Sequence, residues 1–376
     1  MIDRTFITGL CLLLAAGISA QGSQPQEPRS APPLVQEPVQ GGWRITGRAQ
    51  HADEVEQEER ISIARSEGQI LDVDQEFQHM RMERNTSLAR TKGDLTNSDR
   101  DALIDYAKRI ETAAPNTFEA HMAWYYAEYP APAAFQHLDR AAMRDPARAE
   151  LIGPRLGDAA RRNNAAELAQ WSRAMRDRGG VADGLWRFAE DLFSSVDEHG
   201  ILVAAGDMDA YPLWTMQYAD GRRKDVLVVD KRLLGDPAYR QRLWERAKAK
   251  GKVPGQEDFL VRLAGATARP FFLSPALGRE GIVFPKEELY VTGLALRVSA
   301  APLENIPVLE DRWRKMSKTT QAGPLSRNYL LPGIVLLEHY RAIQDESSAM
   351  RMEQELRALA TRLNAMKELY ATGLFH

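Results

Sequence analysis

Apolar positions recur at two different spacings along this chain, and the spacing changes near residue 197. Between residues 53 and 196 they recur every three or four positions, which is the period of an amphipathic helix. From Ile201 onwards, continuous apolar runs of strand length alternate with helical segments. Helical spacing alone returns between residues 328 and 370. The predicted strands are residues 201–205, 225–230, 270–274 and 289–298.

This pattern predicts an α/β protein with large all-α portions. Continuous apolar strands separated by helices are typical of parallel strands that are covered on both faces. We therefore expect a small Rossmann-like parallel sheet, flanked by helical hairpins. The predicted folded regions are a helical repeat-like domain at 53–196, an α/β domain at 197–320 and a C-terminal helical hairpin at 321–376.

One stretch of the helical half resembles a tetratricopeptide repeat. With Pro146 as its closing proline, five apolar or small residues fall on the expected positions: Phe118, Tyr125, Ala134, Leu138 and Ala141. Met122 stands where that repeat normally has a small residue, and Trp171 and Met175 in the next unit are predicted core anchors. The stretch predicts either a groove that binds a protein partner or a helical domain that only packs on its neighbour.

The N-terminus is typical of a cleaved secretory signal. Arg4 precedes an apolar stretch at residues 6–16, and small residues end the segment at residue 20. The stretch is short for a bilayer, which needs about 20 apolar residues. Residues 21–52 are rich in Pro and Gln and predict a disordered linker. We therefore expect a periplasmic or secreted protein with no transmembrane helix in the mature chain; an uncleaved anchor is the alternative.

Composition and motifs narrow the function classes. The 376 residues carry 49 Lys and Arg against 52 Asp and Glu, and this balance gives no support for a nucleic-acid surface. One cysteine excludes a disulfide framework and a Cys-rich zinc site. The sequence has no phosphate-binding glycine loop and no nucleophile elbow. These absences leave open whether the chain is an enzyme and favour a non-catalytic protein.

Polar residues follow the ends of the predicted strands. Asp207 and Asp209 come after the first strand, Asp230 ends the second, and Ser274 ends the third. Ligands of open parallel sheets bind beyond the carboxyl ends of the strands. Three carboxylates at this edge could hold Mg²⁺ or Ca²⁺, or could bond sugar hydroxyls.

The three aspartates also have a structural interpretation. Asp207 can brace the turn through its own backbone. Asp209 can cap the helix that follows, whose first turn tolerates Pro212. Asp230 can pair with the adjacent Lys231 or Arg232, or be solvated. A pair of aspartates after a strand is a weak signal of a site, so the sequence favours the structural interpretation for the aspartates. Trp214 can either pack behind the strand edge or line a ligand site, and the sequence leaves both open.

The region around these aspartates resembles a known family. The string Gly206-Asp207-Met208-Asp209, then Pro212-Leu213-Trp214 and Lys224-Asp225-Val226, is similar to the soluble carboxyl-terminal region of bacterial protein O-mannosyltransferase-like multi-spanning membrane proteins. The similarity extends over about residues 200–344. That family places glycosyl transfer in its membrane-embedded part, so the resemblance assigns no catalytic residue here. It implies a detached envelope domain with a link to glycan or lipid-linked-sugar metabolism.

Two function hypotheses follow. The first is a secreted or periplasmic non-catalytic protein that binds a protein partner through its helical repeats, or a glycan or lipid-linked sugar. The alternative is a metal-dependent enzyme that acts on a sugar or phosphate group at the edge formed by Asp207, Asp209 and Asp230. The candidate ligand-binding residues are Asp207, Asp209, Trp214, Asp230 and Ser274.

Overall fold

The structure is a computed structural model that describes residues 39–40, 43–44, 72–90 and 95–375. Val39–Gln40 (β1) and Trp43–Arg44 (β2) form a short antiparallel pair. The predicted signal segment lies outside the described residues, as do the rest of the predicted linker and residues 53–71.

Contacts divide the chain into two compact units: the first comprises residues 45–179, and the second comprises residues 180–376 together with the β1–β2 pair. The second unit includes the helix that precedes the sheet, the sheet and the C-terminal helices. The sequence placed its domain boundaries at 196/197 and 320/321, and that division stays a prediction.

The described part of the first unit is entirely helical in its regular structure. Helix caps explain several of its boundaries: the Thr96 hydroxyl accepts a hydrogen bond from the Asp99 backbone N–H, and the Asp99 carboxylate accepts one from the Thr96 N–H. Pro132 occupies the first turn of its helix, where no N–H is needed. The helices are α1 Val73–Arg90, α2 Asn97–Ala113, α3 Phe118–Glu128, α4 Pro132–Arg144, α5 Ile152–Arg162 and α6 Ala165–Arg178.

The predicted helical hairpin is confirmed as α3 and α4. All the positions that the repeat spacing singled out are buried: Phe118, Met122, Tyr125, Ala134, Leu138 and Ala141. Its assignment to the tetratricopeptide class stays a prediction. Met175 is 1% exposed, as a core anchor should be. Trp171 is only half-buried, so its prediction as a core anchor was wrong; it lies on the wall of a groove instead.

The second unit alternates helices with short strands. Its helices are α7 Asp183–Ser194, α8 Asp207–Tyr218, α9 Pro237–Arg246, α10 Phe259–Ala266, α11 Gly278–Gly281, α12 Ile306–Lys315, α13 Leu330–Ala342, α14 Glu346–Arg362 and α15 Met366–Tyr370. Its strands are β3 Ile201–Ala204, β4 Leu227–Asp230, β5 Phe271–Leu273, β6 Leu289–Val291 and β7 Leu296–Val298. None of the helices in the described ranges is long and apolar enough to cross a membrane.

The sheet has the order β4-β3-β5-β7-β6. The central strand β3 is parallel to both β4 and β5, with Ile201 opposite Leu227 on one side and Phe271 on the other. The three strands are buried along their whole length. The predicted parallel arrangement is therefore confirmed for these three strands.

The prediction of a single fourth strand over residues 289–298 was wrong. The chain turns back after Val291, where the Thr292 N–H donates to the Ala295 carbonyl and Gly293 has φ +120°. This turn separates β6 from β7, which pair antiparallel with each other, and β7 pairs antiparallel with β5. The sheet is therefore mixed.

The C-terminal helices pack as α13 against α14. A short 3₁₀ segment, Gly323–Tyr329, precedes α13. The helical spacing predicted up to residue 370 is interrupted, because Asn364 adopts the left-handed conformation with φ 50° and α14 ends at Arg362. Asp191 joins α7 to the segment before α13. Its carboxylate accepts hydrogen bonds from the Ser317 backbone N–H at 3.0 Å and from the Tyr329 hydroxyl at 2.5 Å. Burial and the charge of Asp191 raise the pKa of Tyr329.

The close approach of α7 to the loop before α13 gives a test of this packing. A Cβ atom added at Gly184 would lie 2.1 Å from the carbonyl carbon of Gln321. We expect Gly184→Ala to lower the free energy of unfolding by about 1–3 kcal/mol, because backbone must move to admit the methyl group. Urea denaturation would measure the change.

Gly265→Ala is the matched control. Gly265 lies inside α10, and an added Cβ would meet nothing within 4 Å. Alanine favours a helix interior over glycine, so this variant should be neutral or up to about 1 kcal/mol more stable. Equal destabilisation by both substitutions would contradict the packing described here.

Candidate functional site

The structure brings the predicted site residues to one edge of the sheet. Asp207 and Asp209 lie in the first turn of α8, which follows β3, and Asp230 is the last residue of β4. Ser274 follows β5. Asp209, Asp230 and Ser274 are at most 1% exposed. Parallel pairing of β3 with both neighbours is the reason that these residues converge.

Asp209 holds the junction between β3 and α8. Its two carboxylate oxygens accept hydrogen bonds from the backbone N–H groups of Ala205 and Gly206, at 2.9 and 2.8 Å. The Ser274 side chain forms a further hydrogen bond with it. Burial raises the pKa of Asp209, and the charge of Asp230 raises it further, whereas these hydrogen bonds lower it. Asp209 thus caps the helix from its third position, with Gly206 as the N-cap residue.

Arg232 joins the other two aspartates. Its guanidinium lies 2.7 Å from Oδ2 of Asp230 and 2.6 Å from Oδ1 of Asp207. The Arg232 backbone N–H also donates to Asp230, at 3.0 Å. The Arg232 side chain is 10% exposed, and a Cβ at Gly206 would lie 3.1 Å from its guanidinium carbon. Glycine at 206 therefore leaves room for this ion pair.

The ion pair bears on the predicted metal site. Among the described residues, no group of three or more His, Cys, Asp or Glu side chains is placed to hold a metal ion. The Arg232 guanidinium lies between Asp207 and Asp230, where Mg²⁺ or Ca²⁺ would have to displace it. The geometry favours the pairing of Asp230 with Arg232 over cation binding, and the metal site stays a prediction.

Trp214 and Ser274 both have structural partners. Trp214 is 3% exposed, and its ring lies 6.0 Å from the ring of Tyr211. The Ser274 hydroxyl accepts a hydrogen bond from the Ala276 N–H at 3.3 Å and caps a short 3₁₀ turn. This burial favours the packing interpretation of Trp214 over the ligand-lining one.

The structure shows a groove in the helical unit that the sequence did not predict. It has a volume of about 600 Å³ and lies between α4, α5 and α6. Two aromatic side chains, three arginines and three carboxylates contribute to its lining: Phe135, Trp171, Arg155, Arg161, Arg162, Asp139, Asp158 and Glu167. Trp171 is the lining residue with a signal in the sequence, and its spacing predicts a core position.

The charges of the groove are paired with one another. Asp158 accepts from Arg161 at 2.7 Å and from Arg162 at 2.9 Å, and its side chain is only 5% exposed. Arg161 also lies over the Phe135 ring, 4.0 Å from its centroid. Arg155 pairs with Asp139 at 2.6 Å. The guanidinium of Arg161 is therefore held beside an aromatic face, and carboxylates hold those of Arg155 and Arg162. Guanidinium groups in fixed positions are suited to planar polar ligands.

A family model matches a segment of the second unit. A scan against protein-family models matches residues 186–258 to TMEM260-associated domain 2. The matched segment runs from within α7 to the residue before α10 and includes the three aspartates of the sheet edge. Searches of curated proteins and of solved structures found no match.

The ion pair of Arg232 can be tested by Arg232→Met, which keeps most of the side-chain volume. Asp230 would stay buried without its charged partner, so we expect a loss of about 3–5 kcal/mol in the free energy of unfolding. Arg222→Met is the control, because Arg222 and Glu190 form an exposed pair with side chains 50% and 47% exposed. Its loss should be at most about 1 kcal/mol. Similar losses for both variants in chemical denaturation would refute the account.

Trp214 gives a second test of the sheet edge. Trp214→Ala should lower the free energy of unfolding by about 3–5 kcal/mol, because it empties a buried indole site. Trp214→Phe keeps an aromatic ring there and should lose less. A fully stable Trp214→Ala protein would contradict the packing role and revive the ligand-lining one.

Proposed function

We propose that this chain is a secreted or periplasmic non-catalytic protein of the cell envelope that binds a protein partner through its helical unit. The binding site is the groove between α4, α5 and α6. The predicted N-terminal signal segment supports the location, and the helical hairpin supports a role in binding, since helical repeats commonly present such grooves.

One observation carries this proposal: the groove combines a partly buried indole with fixed guanidinium groups. Aromatic and arginine side chains are enriched at the centres of protein interfaces. Trp171 and Arg161 lie on the wall of the groove, and Asp158 holds the guanidinium of Arg161 in place. Side chains that are already ordered lose little conformational entropy when a partner binds.

The sheet edge supports a non-catalytic role. The carboxylates of Asp209 and Asp230 are buried and accept hydrogen bonds from backbone N–H groups or from Arg232. A carboxylate that acts as general base must reach a substrate proton, at roughly 2.6–3.2 Å or through one water. Only Asp207 has a partly exposed side chain, at 27%, and it pairs with Arg232.

A link to protein glycosylation completes the proposal. TMEM260 is a protein O-mannosyltransferase, and residues 186–258 are similar to a domain associated with it. On this basis, the partner of the helical unit belongs to a system that handles glycans or lipid-linked sugars. The second unit, which contains the matched segment, would then be a structural domain that proteins of such systems have in common.

Site-specific photo-crosslinking in cells tests the groove. A photoreactive amino acid at Gln170, an exposed residue of the groove lining on α6, should capture a defined partner. Trp171→Ala in the same chain should reduce the yield of that adduct at least about tenfold, since interface aromatics often contribute more than 1.4 kcal/mol.

The same probe at Arg173 is the matched control, because Arg173 is exposed on α6 but does not line the groove. The account requires the adduct to form from Gln170 and not from Arg173. Equal labelling from both positions, or an adduct that survives Trp171→Ala unchanged, would rule out binding in the groove.

A further inference from the structure

The α3–α4 hairpin holds two histidines side by side. The Nδ1 atoms of His121 on α3 and His137 on α4 are 3.4 Å apart. His121 is 7% exposed, and the side chain of His137 is 19% exposed. The indole of Trp124 stacks on His137, with 6.0 Å between the ring centroids. Because the pair bridges two packed helices, its protonation is linked to their packing.

Asn116 determines which nitrogens carry the protons. Nε2 of His121 lies 3.0 Å from Oδ1 of Asn116, and an amide oxygen only accepts hydrogen bonds. With the Asn116 amide in this orientation, His121 carries its proton on Nε2, and its Nδ1 is an acceptor. The Nδ1–H of His137 donates to this acceptor, which leaves a lone pair on Nε2 of His137. A single arrangement of protons thus satisfies the chain from His137 to Asn116.

Glu128 provides a place for one additional proton. Nε2 of His137 lies 4.0 Å from Oε2 of Glu128. In the described part of the chain, this buried oxygen accepts no hydrogen bond. A proton added at Nε2 of His137 would face the carboxylate, and the bond from His137 to His121 would remain intact. The first proton therefore leaves the hydrogen bond between the two histidines intact.

A second proton is not compatible with this hydrogen bond. It would have to bind Nδ1 of His121, directly opposite the Nδ1–H of His137. Two donors at this distance repel each other, and the hydrogen bond between α3 and α4 would be lost. Since an imidazole in the unfolded chain binds its proton freely, acid favours any state in which the two helices separate.

Some of the surrounding charges raise the pKa values of the two histidines and others lower them. Burial, the charge of His137 and the arginines Arg140 and Arg144 on α4 lower the pKa of His121, whereas Glu111 on α2 raises it. Burial also lowers the pKa of His137, and Arg140 adds to this effect. Glu128 on α3 and Glu111 oppose it. The net direction for both histidines is downward from the ordinary value of 6.5.

We propose that His121 and His137 form an acid-sensitive latch, which holds α3 against α4 while the pair carries at most one added proton and weakens when both rings are charged. A pKa that is lower in the folded state contributes stability above the ordinary imidazole pKa, and this stability is lost as the pH falls below about 6.5. Phe135 and Asp139 on α4 line the groove, so the latch also affects that wall. The latch does not depend on whether the groove binds a partner.

Nitrogen-15 NMR of the imidazoles in the full chain tests the proton positions directly. Above neutral pH, we expect His121 to carry its proton on Nε2 and His137 to carry its proton on Nδ1. On acidification, His137 should gain a proton at Nε2 before His121 gains one. Independent titration of both rings near the ordinary pKa, or a proton on Nδ1 of His121 at neutral pH, would overturn the proposal.

Chemical denaturation at about pH 7.5 and about pH 5 tests the effect on stability, with the transition of the helical unit followed by hydrogen exchange of α3 and α4. The folding constant of the wild-type unit should fall by up to about tenfold per pH unit for each excluded proton. His121→Gln removes the excluded proton and should reduce this fall. His79→Gln, at an exposed position on α1, removes an imidazole away from the pair and should behave like wild type.

If His121→Gln does not fold, His121→Asn serves the same purpose, because it also removes the imidazole whose protonation the pair excludes. An unchanged pH dependence in a folded variant of His121 would overturn the latch. These measurements use no partner, so a failure of the latch and a failure of the groove as a binding site remain separate results.

Discussion

Two buried carboxylates constrain the α/β unit. Asp209 and Asp230 are at most 1% exposed, and a buried charge is tolerated only when it is paired or hydrogen-bonded. Asp209 accepts hydrogen bonds from the backbone N–H groups of Ala205 and Gly206, and these bonds join β3 to α8. Asp230 forms an ion pair with Arg232, whose side chain also pairs with Asp207. Gly206 also leaves room for this ion pair, since an added Cβ atom there would lie 3.1 Å from the guanidinium carbon of Arg232.

The buried carboxylates have a structural role, whereas the proposed binding function belongs to the helical unit. The edge of the sheet where parallel folds commonly bind ligands is occupied here by internal ion pairs and helix caps. The helical unit has the opposite character, because its groove presents an aromatic ring and ordered arginines to solvent. The proposed partner site therefore lies on the unit with the repeat-like spacing. The histidine pair between α3 and α4 adds a titratable contact to one wall of that same groove.

The sequence predicted elements whose pattern is local and periodic. Three parallel strands and the α3–α4 hairpin were recognisable because apolar residues repeat at strand or helix spacing. The turn at Gly293 was missed because apolar residues lie on both sides of it between residues 289 and 298. Arg232 was one of two possible partners of Asp230, and the choice depends on side-chain direction, which spacing does not specify. The groove arises from the packing of three helices, and nothing in the order of residues distinguishes a partly buried Trp171 from a core residue.

The central claim is that Arg232, and not a cation, neutralises Asp207 and Asp230. Calorimetric titration of Mg²⁺, Mn²⁺ and Ca²⁺ into the purified chain at neutral pH tests it most directly. The account predicts no stoichiometric binding, because a cation would have to displace a guanidinium that is held 2.6 and 2.7 Å from the two carboxylates. Stoichiometric binding of any of the three ions that is abolished by Asp207→Asn would contradict the account and support the metal-dependent alternative.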